Sequence, residues 1–229
     1  MLFLERFSVL LLDMNGTFMF GNDRFGPEQD YFATYRAIGG HALDREHLLR
    51  IMHSACDALL RDYYLPERFD NFPTVAEAFR EYGGAPEGEL PVLERLFAAH
   101  EIGYVPSDHA AFLRRVARSH HLGIVSNICA RPGPWLDSFH ESGLLPLFKT
   151  IVFSSEGRSI KPSRVLFEQA MAGIPAGAAV LFTGDSLERD IIPAKAMGLA
   201  TAWIAPPGSA HPAADLVVEG LPDLALVAG

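Results

Sequence analysis

The chain has 229 residues, 49% hydrophobic and 21% charged, which suits one large globular core or a core carrying a smaller domain and excludes intrinsic disorder. Nineteen lysines and arginines against 28 aspartates and glutamates leave a net charge of −9, so neither nucleic acid nor an anionic membrane surface is expected as a partner. Cys56 and Cys129 are too few for a disulfide framework, and no apolar run approaches the roughly 18 residues of a membrane span.

The apolar start, Met1 to Leu12, is interrupted by Glu5 and lacks the basic flank and cleavage site of a signal peptide, so a cytoplasmic location is expected. Phe7–Leu12 is a continuous apolar run that breaks at once into Asp13-Met14-Asn15-Gly16-Thr17, the pattern of a strand buried on both faces and ended by a turn. After it come about a hundred residues with little strand signal. Helices are expected there at Pro27–Ile38, from Asp44 to Tyr63, at Pro73–Tyr82 and at Pro91–Glu101, separated by glycines. From Asn22 to Val105 there are 8 basic and 15 acidic residues, so this stretch carries −7 of the total charge. Four further apolar runs follow at Leu122–Val125, Thr150–Phe153, Ala179–Phe182 and Thr201–Ile204, alternating with segments able to form helices, among them Leu187–Met197. The expected architecture is an α/β, Rossmann-like parallel sheet, residues 1–21 and 106–229, interrupted by a helical domain over residues 22–105.

In such sheets ligands bind beyond the carboxyl ends of the strands. The residues placed there are Asp13 and its turn, then Ser126-Asn127, then Lys161-Pro162, then Gly184-Asp185-Ser186 with Asp190. Carboxylates, a hydroxyl and a lysine on one edge suit phosphoryl chemistry assisted by a hard divalent cation with oxygen ligands. Each residue alone has a plain structural reading. Asp13 and Gly16-Thr17 suit a turn, Asp185 an N-cap, Asp190 an ordinary surface carboxylate, Lys161 a solvated loop, and Ser126 a local backbone contact.

The set LLLDMNGT, GIVSN, SIKPS and GDSLERD, in that order, resembles the four motifs of the haloacid dehalogenase-like (HAD) hydrolase superfamily, mostly phosphatases. The resemblance covers roughly residues 7–20 and 106–205, with Phe182–Ile204 its most specific stretch. It implies that Asp13 is a nucleophile forming an aspartyl-phosphate. It further implies Mg²⁺ held by Asp13, Asp185 and the Asn15 backbone carbonyl, with Asp190 supporting the metal site, and phosphate bound by Ser126, Asn127 and Lys161. The helical insert looks like the family's type 1 cap, and the implied substrate is a small phosphorylated or otherwise acidic metabolite.

One position departs from the pattern. Where the family's phosphatases carry an acid/base aspartate, this chain has Asn15, whose amide does not titrate near neutrality. Three readings therefore stand: a weakened phosphatase, a hydrolase of a carbon–phosphorus or carbon–halogen bond, and a non-catalytic binding protein. Cys129, three residues after Ser126 but without a histidine partner, reads as a small hydrophobe. Tyr63, Tyr64 and Phe69 suit either the core of the insert or the wall of a substrate pocket.

Overall fold

The computed structural model describes residues 2–227. Six parallel strands form one sheet: β1 (Val9–Leu12), β2 (His121–Ser126), β3 (Phe148–Phe153), β4 (Val180–Gly184), β5 (Ala200–Ile204) and β6 (Leu216–Val218), in the spatial order β3-β2-β1-β4-β5-β6. This is the α/β Rossmann-like architecture expected. Every residue of β1 is buried, and alternate side chains serve opposite faces. Leu10 and Leu12 pack in the larger apolar cluster, whereas Val9 and Leu11 join Phe167, Phe182 and Leu199 on the other side. In register, Leu12 lies opposite Ile124 of β2 and Thr183 of β4. The three strands thus end together, and the chain order reverses beside β1, the place where such sheets open a crevice.

Four helices fill the long interval after β1: α1 (Tyr31–Ala37), α2 (Arg45–Tyr63), α3 (Val75–Glu81) and α4 (Leu90–Glu101). The first three begin where a side chain satisfies free amides. Asp30 accepts from Ala33 N, Asp44 from His47 N, and Thr74 shares a reciprocal capping box with Glu77. The four helices pack chiefly on one another. The chain enters and leaves this insert side by side, where Phe20 and Tyr104 exchange two backbone hydrogen bonds of 2.9 Å. A second junction clasps residues 69–72 to the loop before Lys161, with Phe72 N donating to Arg158 O at 2.7 Å and Ile160 N to Phe69 O at 2.8 Å. The remaining helices are α5 (Ser107–Val116), α6 (Gly133–Glu141), α7 (Arg164–Ala172) and α8 (Ile192–Ala196). Among the described residues no helix is long and apolar enough to cross a membrane.

Two expectations are corrected. Strand β6 has no counterpart in the sequence reading, because three residues at a sheet edge, two half-buried and one buried, are too few for a periodic signal. The single helix expected over Leu187–Met197 is instead a π-helical turn, Leu187–Ile191, followed by the short α8. Ile191 N reaches back five residues to Ser186 O at 3.2 Å, and Pro193 supplies no N–H to carry an ordinary ladder through. The wide turn brings the Asp190 carboxylate back to accept from Ser186 N at 3.0 Å.

Candidate active site

The turn after β1 is wound about one carbonyl. Met14 O accepts from Phe18 N at 3.0 Å and Met19 N at 2.9 Å, which leaves Asp13 at the strand tip with its own N–H tied to Thr183 O of β4 at 2.9 Å. Gly16 stands in the left-handed region at φ +73°, and a Cβ there would lie 2.4 Å from Asp185 Oδ2. The motif needs glycine for both reasons. Gly16→Ala is expected to destabilise the fold by about 1–2 kcal/mol from the backbone term alone and to push Asp185 off its position. Urea unfolding of the variant at wild-type stability would contradict this account of the turn.

At the centre lies a buried ionic triad. Lys161 Nζ donates to Asp13 Oδ1 and to Asp190 Oδ1, each at 2.6 Å, and the three residues are 2%, 6% and 1% exposed. Charges so buried persist only when paired. Burial alone would lower the Lys161 pKa, but the charges of Asp13 and Asp190 outweigh it and hold the ammonium protonated well above the usual lysine range. Two of its three N–H donors are thereby used, leaving one for an incoming oxygen. Burial pushes the Asp190 carboxyl upward while Lys161 pulls against it. Asp185, chiefly through burial and then through the neighbouring Asp13 charge, is raised to about 6.

Carboxylate oxygens of Asp13, Asp185 and Asp190 lie within 4.8 Å of one another. With one ammonium against three carboxylates, the cluster is short of positive charge, and its donors are all hard oxygens, the set that suits a divalent cation such as Mg²⁺. Among the polar atoms buried without a partner are Ser126 Oγ at the end of β2 and Asn15 Oδ1 in the turn, with Thr17 Oγ1 and Thr183 Oγ1 close in chain to them or to the strand ends. Asn127 is fully engaged: its Oδ1 accepts from Lys161 N at 2.7 Å, and its Nδ2 donates to Lys161 O and to Tyr63 Oη, both at 3.2 Å. It fixes the lysine loop.

All seven residues singled out in the sequence meet at one cavity of about 1210 Å³ between the strand ends and the insert. Tyr63, Tyr64 and Phe69 line it as well, and Tyr63 and Phe69 also pack against the apolar core, so both expectations for these rings are met in part. Sequence reasoning missed two contributors. Arg189, inside the fourth motif, stacks its guanidinium 3.5 Å from the Tyr63 ring centre and donates to the backbone oxygens of Lys161 and Tyr63, tying insert to core. Glu101, the last residue of α4, is 3% exposed and accepts from Cys129 N and, at 2.8 Å, from Ala130 N in the loop after β2. The charge inside the fourth motif was a visible signal for Arg189, whereas nothing local marks Glu101. Burial and the Glu101 charge push the Cys129 thiol well above its ordinary range, in keeping with the small-hydrophobe reading.

Residues 160–224 match a family model described as HAD-hydrolase-like. Over 65 residues the chain is 38% identical to the pyrimidine 5'-nucleotidase YjjG of Escherichia coli (strain K12), a match spanning 28% of this chain and 29% of that protein. The fold is shared almost throughout with a HAD phosphatase from Thermococcus onnurineus, at a TM-score of 0.61 and 22% identity over 95% of both chains. It is shared equally with a 2-haloacid dehalogenase from Pseudomonas syringae pv. Tomato DC3000, at a TM-score of 0.62 and 18% identity over 95% of this chain and 96% of that one. Residues 160–224 are thus similar to HAD-hydrolase-like proteins, and the chain as a whole shares the fold of these solved neighbours.

Proposed function

We propose that the protein is a Mg²⁺-dependent phosphatase of a small phosphorylated metabolite, working through an aspartyl-phosphate on Asp13 and slowed by Asn15. The observation that carries this reading is the convergence of the Asp13, Asp185 and Asp190 oxygens within 4.8 Å around a single lysine. An Asp nucleophile acting on carbon needs no such excess of carboxylates, whereas phosphoryl transfer on a divalent cation does. Asp13, Asp185 and the Asn15 backbone carbonyl would hold Mg²⁺, with Asp190 bracing Lys161. Bound there, the ion would neutralise charge developing on the transferred phosphoryl group.

The chain's own groups have separable tasks. Asp13 attacks phosphorus, its Oδ–P bond forms as the P–O bond to the leaving group breaks, and the departing alkoxide takes a proton from water. In the second half, a water oxygen attacks the same phosphorus, the Oδ–P bond breaks, and inorganic phosphate leaves. Lys161 meets the phosphoryl charge with its free N–H, and the unpartnered Ser126 Oγ hydrogen-bonds a phosphoryl oxygen. The insert acts as the cap, excluding bulk water from Asp13. The amide of Asn15 moves no proton in either half.

Asn15 also favours a second reading, cleavage of a carbon–phosphorus or carbon–halogen bond by the same nucleophile. A screen of phosphate esters, phosphonates and 2-haloacids with and without Mg²⁺ separates the two. Mg²⁺-dependent release of phosphate from esters is expected. Metal-independent halide release, or cleavage of phosphonates alone, would replace the phosphatase reading with the second. By calorimetry Mg²⁺ is expected to bind with millimolar or better affinity and Asp185→Ala to weaken it at least tenfold; folded protein that takes up no Mg²⁺ would remove the metal from the reaction.

A further inference from the structure

The cavity has two chemically different ends. At one lie Asp13, Lys161 and the unpartnered Ser126 Oγ, which receive the phosphoryl group. At the other, at the end of α4, lies Glu101, a carboxylate 3% exposed that accepts from the amides of Cys129 and Ala130 and is hydrogen-bonded by the Cys129 thiol. Among the described residues no lysine, arginine or histidine pairs with it, although a buried carboxylate ordinarily has a cationic partner. Asp23 and Asp57 line the same region. Their proximity shows in the two thiols beside them: Cys56, mainly through burial, is pushed up to about 12, with Asp57 and Glu101 adding to the effect, and Cys129 feels both Glu101 and Asp23. The cations of the cavity are already committed, Lys161 to Asp13 and Asp190, Arg189 to two backbone oxygens and the face of Tyr63. Arg24, next in chain to Asp23, spends its guanidinium on the carbonyls of Gly21, Ala99 and Ile102.

A leaving group with a carboxylate or second phosphate finds no counter-charge at this end. A cationic one finds Glu101, and aromatic faces too. Phe97 stands one turn before Glu101 on α4, its ring centre 4.6 Å from that of Phe25, and both rings line the cavity. Aromatic faces beside carboxylates are the usual setting for an ammonium group. The spacing is compatible: Cys129, whose amide holds Glu101, lies three positions after Ser126, at most roughly 11 Å of extended chain, within the span of a short phosphorylated amino alcohol.

Resting on the phosphatase reading, we propose that the substrate is the phosphate ester of a small cationic alcohol, an amino or quaternary-ammonium alcohol, with the positive charge seated against Glu101 beside the packed pair of Phe25 and Phe97 rings. Hydrolysis balances simply: ester plus water gives the cationic alcohol and inorganic phosphate. Burial holds the empty Glu101 carboxyl at about 7, and the bound cation would draw it to the ionised form.

The test compares phosphocholine with 3,3-dimethylbutyl phosphate, a probe of the same shape without the charge, in two measurements. In steady-state hydrolysis by the intact chain, kcat/KM is expected to favour phosphocholine or phosphoethanolamine by about 10- to 100-fold, carried mostly in KM. In calorimetric binding to the Asp13→Asn variant, where no turnover intervenes, the same preference is expected. Glu101→Gln should collapse the ratio toward one in both measurements, and Asp57→Asn, an exposed position that does not threaten folding, should reduce it in part. Equal binding and equal kcat/KM for the two probes would overturn the cationic substrate and leave the phosphatase standing. Absence of hydrolysis of every ester, with the binding preference kept and sensitive to Glu101→Gln, would instead overturn the phosphatase and retain the cation pocket.

Discussion

Asn15→Asp is expected to raise the turnover of phosphate esters by roughly 10²–10⁴-fold, the usual contribution of a positioned acid/base group. The position is prepared for it. Asn15 lies two residues from Asp13 in a turn fixed by Met14 O, lines the cavity, and buries its Oδ1 without a partner. A carboxyl of nearly the same shape would lend a proton to the departing alkoxide and then take one from the attacking water. The gain should be largest for alkyl esters and smallest for p-nitrophenyl or acetyl phosphate, whose leaving groups depart with little help. Another negative charge beside Asp13 and Asp185 adds to the repulsion that, after burial, already raises the Asp185 carboxyl, so rates are to be compared at saturating Mg²⁺. A variant that binds Mg²⁺ normally and hydrolyses no ester would defeat the weakened-phosphatase reading.

The second large effect is loss of the nucleophile. Asp13→Asn should reduce hydrolysis to the limit of detection, by roughly 10⁴-fold or more, while keeping the shape of the strand tip. A covalent signature accompanies it. Because Asn15 cannot activate water, the aspartyl-phosphate should be slow to break down in the unmodified chain. Acid quenching followed by peptide mass analysis should find one phosphoryl group on the segment containing Asp13, absent from Asp13→Asn and scarce in Asn15→Asp. Turnover surviving in Asp13→Asn would refute attack by this carboxylate.

Much of this arrangement is legible in the chain alone, for a definite reason. β1, β2 and β4 are buried on both faces almost throughout, so their residues are apolar without alternation, and chemistry-bearing residues stand out where each run stops. Asp13, Ser126 and Asp185 are read in this way. Lys161 lies eight residues beyond the end of β3, and its placement leaned on the order of the motifs rather than on periodicity. The insert helices announce themselves through spacing and caps, although α1 starts at Tyr31 rather than at Pro27, after the Asp30 cap. What the chain does not display are dependencies between distant segments. Asn127 acts through Lys161 and Tyr63, Arg189 through Tyr63, and Glu101 through an amide pair 28 residues away. The π-helical turn is hidden likewise, since Leu187–Ile191 has a helical pattern and the contacts of Asp190 with Ser186 N and the distant Lys161 accompany a widening that periodicity does not register.

The reciprocal hydrogen bonds between Phe20 and Tyr104 make the insert, topologically, the enlarged tip of a hairpin. Its two ends stand as neighbours in a ladder, so the segment between them can lengthen, shorten or be exchanged without changing the distance the sheet must span. Loop closure grows only with the logarithm of length, which makes such growth thermodynamically mild. Heredity can therefore treat the two halves of the protein differently, holding the strand tips constant while the material grafted at this neck drifts toward new leaving groups. For the protein engineer the same neck is a splice site: transplanting another helical segment between Phe20 and Tyr104, with the contacts to residues 158–161 redesigned, would alter the wall of the cavity while leaving the Asp13, Lys161 and Asp190 edge as it is.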